Sequence, residues 1–235
     1  MEAQVLQELL SIFRSASPLQ VMADQFAEML TTSLEMVRKA GAAFAAKSIT
    51  AEERTALQQQ DVRVNKLQRR IRKQVILHLS IERNTPDLPY CLLLMNLVKD
   101  VERIGDYAKE LADLVTLSND PLPSDALVEE LKELRAGIET DYVAALEVIQ
   151  EGDRERAVEL IHCGKDTVDR CEALTRRIAN GPHNASVTAT LVLAVRFYQR
   201  IAGHVLNLLS SAVVPLHKLD YYDEKDIVKS EKIKP

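Results

Sequence analysis

The chain has 235 residues, of which 46% are hydrophobic and 28% charged, with only 7 Gly, 8 Pro and no Trp. That is long enough for one elongated domain or two small ones around a real core, and the balance excludes wholesale disorder. A net charge of −5 argues against a general nucleic-acid binder, and no apolar run approaches the roughly 18–20 residues a membrane span needs.

Scarce breakers and few aromatics favour long helices packed through Leu, Val, Ile and Ala. The N-terminus has no basic segment followed by an apolar core, so no secretory signal is expected. Cys91, Cys163 and Cys171 follow no metal-finger spacing, and their odd number reads as reduced thiols in a cytoplasmic protein.

In chain order, Glu2 to Arg14 reads as a short amphipathic helix within an N-terminal segment 1–16. Ser17-Pro18 then restarts the chain, with Ser as N-cap and Pro at the first helical position. The helix it opens runs to about Lys47, with an apolar stripe that includes Val21, Phe26, Met29, Leu30 and Val37. Thr50 and Glu53 form a capping box for a second helix, to about Ile81. Asn84, Pro86 and Pro89 break the pattern, and a third helix spans about Leu88 to Leu117.

Residues 118–123, Ser-Asn-Asp-Pro-Leu-Pro, are the best linker in the chain. Beyond it the pattern repeats. Ser124 caps a helix to about Glu151, Gly152-Asp153 is a stop and new cap, and the next helix runs to about Ala179. After the break at Asn180-Gly181-Pro182, a last helix spans about Asn184 to Val214. The polar remainder, 216–235, reads as a tail docked through Leu219, Tyr221 and Tyr222. The expected fold is therefore all-α: two pseudo-repeated antiparallel three-helix bundles, 17–117 and 124–215, with a period near 100 residues. Arg103-Ile104 aligns with Arg200-Ile201.

Chemistry concentrates in the third helix. Glu102, Asp106 and Glu110 are spaced i, i+4, i+8, which places them near one face. Like charges so spaced repel, so water, basic side chains or a cation must offset them. Antiparallel pairing about the turn near Pro86 sets Asp106 level with Asn65 and Glu110 level with Asp61. The converging set Asp61, Asn65, Glu102, Asp106 and Glu110 is oxygen-rich and suits Mg²⁺, Mn²⁺, Fe or Zn without choosing among them. The competing reading is a solvated acidic face tied by Arg69, Arg70, Arg72 and Arg103. Gly105 in mid-helix reads as a close-packing position. No His, Cys or Ser arrangement supports nucleophilic catalysis, and His204 reads as a hydrogen-bonded helix histidine.

The run Asp100-Val101-Glu102-Arg103-Ile104-Gly105-Asp106, the doubled three-helix unit and the length together resemble the PhoU family of phosphate-uptake regulators. The tail His217-Lys218-Leu219-Asp220-Tyr221-Tyr222-Asp223 is similar to the end of some members. The resemblance implies a non-enzymatic cytoplasmic regulator of phosphate uptake and phosphate-starvation signalling. It implies as partners the ATPase of a phosphate ABC transporter or a sensor histidine kinase. A second copy of the chain is a further candidate, and nucleic acid is not one. Members carry a Glu/Asp-x-x-x-Asp motif on facing helices, and in some these carboxylates bind metal. Here Asn65 stands where that pattern has an acid, which lowers the expected affinity.

The second unit departs further. Gln199 and Gly203 replace Glu102 and Asp106, and the facing helix offers Lys165 and Asp169. Asp166, Asp169 and Glu172 are expected to pair with Arg196 and Arg200, so metal binding is expected to be lost there. Two other functions fit the pattern less well: a helical metal-dependent hydrolase, which lacks a placed general base, and a metal-free helical interaction module.

Overall fold

The computed structural model describes residues 17–219, and among them six long helices and no strand occur. They are α1 (Pro18–Ala46), α2 (Ala51–Leu79), α3 (Leu88–Asp113), α4 (Ala126–Glu151), α5 (Arg154–Ala179) and α6 (Ala185–Ser210). Helices α1 to α3 pack mutually as one antiparallel bundle and α4 to α6 as another. The bundles join mainly through α3 against α6, with α1 against α4 beside them. One apolar core runs through both, from Leu19 to Leu219. The expected helix at Glu2–Arg14, and Tyr221 and Tyr222 of the tail, lie outside the described residues.

The caps show why the helices begin where they do. The Ser17 hydroxyl accepts from Gln20 N at 3.3 Å, with Pro18 at the first position. At α2 both arms of the capping box are made: Glu53 N donates to Thr50 Oγ1 at 3.1 Å and Thr50 N to Glu53 Oε2 at 2.8 Å. The cap of α4 is Asp125 rather than Ser124: its carboxylate accepts from both Leu127 N and Val128 N, at 2.9 and 3.0 Å. A charged acceptor at a helix N-terminus also meets the positive end of the dipole. Gly152, at φ 71°, ends α4 in the left-handed region, and Asp153 caps α5.

Two helices end earlier than the sequence suggests. Helix α3 tightens into a 3₁₀ turn at Leu114–Thr116, where Lys47 Nζ reaches the carbonyls of Leu114 and Val115 at 3.3 and 3.2 Å. Lys47 itself closes α1 with φ 51°. Helix α6 stops at Ser210, because Ser210 and Ser211 turn their hydroxyls back onto Asn207 O and Leu208 O, at 2.7 and 2.6 Å.

The repeat is close in register. Helices α3 and α6 are both 26 residues long. Each end of α6 follows its counterpart in α3 by the same 97 positions that separate Arg103 from Arg200 (88 to 185, 113 to 210).

Candidate functional site

The acidic face lies in the cleft between α2 and α3. Glu102 and Asp106, one turn apart on α3, are partly buried, and Asp61 of α2 faces them. The repulsion is offset by basic side chains. Lys109 Nζ lies 3.3 Å from Asp61 Oδ2 and 3.7 Å from Asp106 Oδ1. Arg103 lies 3.2 Å from Asp106 Oδ2 and 3.7 Å from Glu102 Oε2. Lys109 is the residue that the spacing did not single out. It stands i+3 from Asp106 and reaches across to the facing helix, so one ammonium serves both helices.

Of the five candidate ligands, Asp61, Glu102 and Asp106 are brought together. Glu110 is exposed and acts on this group only at a distance, through the field it exerts on Lys109. Asn65 is half-buried on α2, and its main-chain carbonyl accepts from Arg69 Nε at 3.1 Å. Among the described residues no three His, Cys, Asp or Glu side chains converge as a ready metal cage. The donors have the right oxygen chemistry for a hard cation, with Lys109 standing among them.

Electrostatics follow from this crowding. Burial pulls the Lys109 ammonium down, but Asp61, Asp106 and Glu110 together more than offset it, and its pKa stands above the ordinary lysine value. Glu102 is raised by burial first and by Asp106 next, against the pull of Arg103 and Arg72.

A carboxyl raised above its unfolded value stabilises the folded chain while protonated. That contribution is full below the ordinary value of 4.5 and is lost as pH rises through the raised one. Glu102→Gln, which fixes the neutral form, is therefore expected to melt above the native chain at about pH 7, with the gap closing below pH 4.5. Thermal melts across that range check it; a gap that widens in acid would contradict the assignment.

Gly105 lies beside the acidic face on the buried side of α3, i+3 from Glu102. A Cβ there would meet only Met36 and Val64, at 3.7 Å and 3.9 Å, which is ordinary contact. Close packing therefore does not require glycine here. Gly105→Ala is expected to stabilise by about 0.5–1 kcal/mol through helix propensity, read as a rise in the denaturation midpoint. By contrast, a Cβ at Gly41 would come within 2.7 Å of the Tyr198 hydroxyl and 2.6 Å of Arg135 Nε.

In the second bundle, the same positions form an open cavity of about 430 Å³ lined by His162, Lys165, Asp166, Asp169 and Gly203 among others. The expected pairing of its acids with Arg196 and Arg200 does not form. Arg196 reaches Gln199 at 2.6 Å, Arg200 Nε reaches the Tyr107 hydroxyl at 3.1 Å, and Glu172 pairs with Arg176 one turn along its own helix. Gln199 itself donates to Val168 O at 3.3 Å. The reason is position: Arg200 sits on the side of α6 that faces α3 and stacks over the Tyr107 ring.

Between the bundles lies a buried polar contact. Asp100, 1% exposed, accepts from His204 Nδ1 at 2.8 Å and from Asn207 Nδ2 at 3.1 Å. The His204 ring stacks on Tyr107 with centroids 5.8 Å apart, and Tyr107 also packs on Phe197 at 6.0 Å. As numbers on α3 rise from 100 to 107, partners on α6 fall from 207 to 197, so the two helices run antiparallel.

Tyr107 and His204 are equivalent positions of the two repeats, and they stack on each other. Asp100 could have been found from sequence: it stands i+3 from Leu97 and i−4 from Ile104, both buried, so it occupies the core face of α3. The expectation of a hydrogen-bonded His204 holds, with its partner in the other bundle.

Comparison with known proteins places this geometry. Residues 26–115 match the family model of the PhoU domain. The fold matches the crystal structure of PhoU from Pseudomonas aeruginosa, with a TM-score of 0.74 and 20% identity over 83% of this chain and 95% of that one. It also matches the phosphate transport system regulatory protein PhoU from Streptococcus pneumoniae, with a TM-score of 0.71 and 17% identity over 87% and 95%. At these identities the likeness to the two structures is one of fold. Among curated proteins, none matches the chain significantly.

Proposed function

We propose that this chain, which carries a PhoU domain over residues 26–115 and the PhoU fold across both bundles, is a non-enzymatic regulator of phosphate uptake and phosphate-starvation signalling. It acts by protein–protein contact on the cytoplasmic side of the membrane. Its partners are the ATPase of a phosphate ABC transporter or a sensor histidine kinase. The observation that carries this reading is the domain match, which covers the acidic motif and the helix facing it. No helix among the described residues is long and apolar enough to cross a membrane, so a transporter would be reached through its soluble parts.

The test is an affinity pull-down of the full chain from its source cell grown with ample phosphate. Recovery of the transporter ATPase or a sensor kinase supports the role. Repeated enrichment of unrelated partners overturns it.

The acidic face is proposed to bind a divalent or iron-type cation through Asp61, Glu102 and Asp106, with Asn65 and Glu110 at its margin. A bound cation would supply the positive charge that Lys109 now provides. The expected result is metal bound to the untagged full chain, measured by mass spectrometry. The metal is lost in Asp106→Asn and increased in Lys109→Met, which removes the competing ammonium. Metal that survives Asp106→Asn would place it elsewhere, and a metal-free Lys109→Met chain in excess Mn²⁺ or Zn²⁺ ends the proposal. The second bundle, with Gln199 and Gly203 in the equivalent places, is proposed to hold none.

A further inference from the structure

The end of the first bundle where α2 turns into α3 is open. A groove of about 650 Å³ lies between the start of α1 and the end of α2, bordered by Ser17, Pro18, Val21, Leu77, Ile81 and Asn84. Val21, Leu77 and Ile81 are 45, 58 and 47% exposed. Val21 belongs to the apolar stripe of α1, whose neighbours Met22, Phe26 and Met29 are all buried. Three large aliphatic side chains around one groove are a patch that needs cover, unlike single apolar residues scattered over a surface.

The equivalent end of the second bundle has its cover. There the segment that precedes α4 crosses the bundle end: Leu122 packs against the core, and Asp120 Oδ2 accepts from Asn184 Nδ2 at 3.1 Å. Asn184 is the cap of α6, and by the repeat register it corresponds to Asp87 at the start of α3. Each bundle therefore has one end made by the start of its first helix, the end of its second and the start of its third. In the second bundle that end is closed by the residues leading into the first helix.

In the first bundle the residues leading into the first helix are 1–16. They enter at Ser17-Pro18, on the rim of the groove itself. The segment is apolar at Val5, Leu6, Leu9, Leu10, Ile12 and Phe13. Its sixteen residues are joined to the rim of the groove, so the segment is long enough to lie along it.

We propose that residues 1–16 of the same chain occupy this groove and bury Val21, Leu77 and Ile81, as the 118–124 segment covers the corresponding end of the second bundle. Apolar side chains of the segment meet apolar side chains of the groove, so the contact is made by removing both from water.

The test uses the full chain and the full chain carrying Leu9→Asp with Phe13→Asp, both checked for unchanged helicity. Hydrogen exchange is followed over residues 74–84 at several protein concentrations. The expected result is exchange about tenfold faster in the substituted chain, the same at every concentration. Unchanged exchange overturns the proposal. So does protection that appears only as concentration rises, which would make a second copy the occupant, or only on adding phospholipid vesicles, which would make it a membrane surface.

Discussion

Asp100→Ala is expected to lower the unfolding free energy by about 3–5 kcal/mol, the usual cost of removing one partner from a buried polar pair. In a chain of this size that is a fall in melting midpoint on the order of 10 °C. The carboxylate has no solvent to replace it and serves two donors, His204 Nδ1 and Asn207 Nδ2. Alanine would leave both turned toward an apolar gap. Buried polar groups left without a partner cost more than the net value of the bond they lose.

Asp100→Asn keeps an acceptor oxygen and is expected to lose much less. A double-mutant cycle with His204→Ala separates the pair from its surroundings: the two losses should be far from additive. A midpoint within about 1 °C of native for Asp100→Ala would show that the contact between bundles does not stabilise the chain.

The second large effect is expected at Tyr142. It is fully buried on α4, and its hydroxyl lies 2.7 Å from Ser33 Oγ of α1. Tyr142→Ala should cost about 3–5 kcal/mol, the range for deleting a core aromatic ring. Tyr142→Phe should cost about 1 kcal/mol or less, because Ser33 Oγ keeps Met29 O and Leu30 O of its own helix at 2.9 and 3.1 Å.

The contrast is diagnostic. A ring held for its volume gives a large alanine effect and a small phenylalanine effect; a hydroxyl that mattered for joining the bundles would make the two similar. Urea unfolding with an unchanged slope is the measurement, since the slope reports whether the denatured state also moved.

Much of this architecture could be read from residues. Ser17-Pro18, the Thr50–Glu53 box and Gly152 are local signals whose physics is complete within four residues, and the structure uses each of them. The doubled pattern and the Arg-Ile landmark set the repeat in register. Features that depend on distant partners were missed. Helix α3 gives way to a 3₁₀ turn where Lys47, the residue that closes α1, reaches the carbonyls of Leu114 and Val115. One local signal also went to a neighbour: Asp125 caps α4 in place of Ser124, because its carboxylate accepts two amide protons at once.

At the acidic face, spacing brought out Glu102 and Asp106, and the turn near Pro86 brought out Asp61. It did not bring out Lys109, since an i+3 lysine on an exposed helix is ordinary until a facing acid is within reach. Arg196 and Arg200 were expected to turn toward α5. The choice between that cleft and the face of α3 depends on a few tens of degrees about the helix axis, which a periodicity does not resolve.

The two halves of the joint between the bundles are not copies of each other. Asp100 meets His204 through a hydrogen bond, whereas the mirror positions, Phe197 and Tyr107, meet ring to ring. If two first bundles tried to pair through α3, Glu110 would stand where Asn207 now donates, and Tyr107 would offer a ring carbon in place of His204 Nδ1. Each buried Asp100 would then face a second acid and lose both of its present donors. The joint thus sorts its partner: a chain cut within the 118–124 linker should yield halves that recombine with each other and not with themselves. What began as one unit used twice has become a matched pair of unlike pieces.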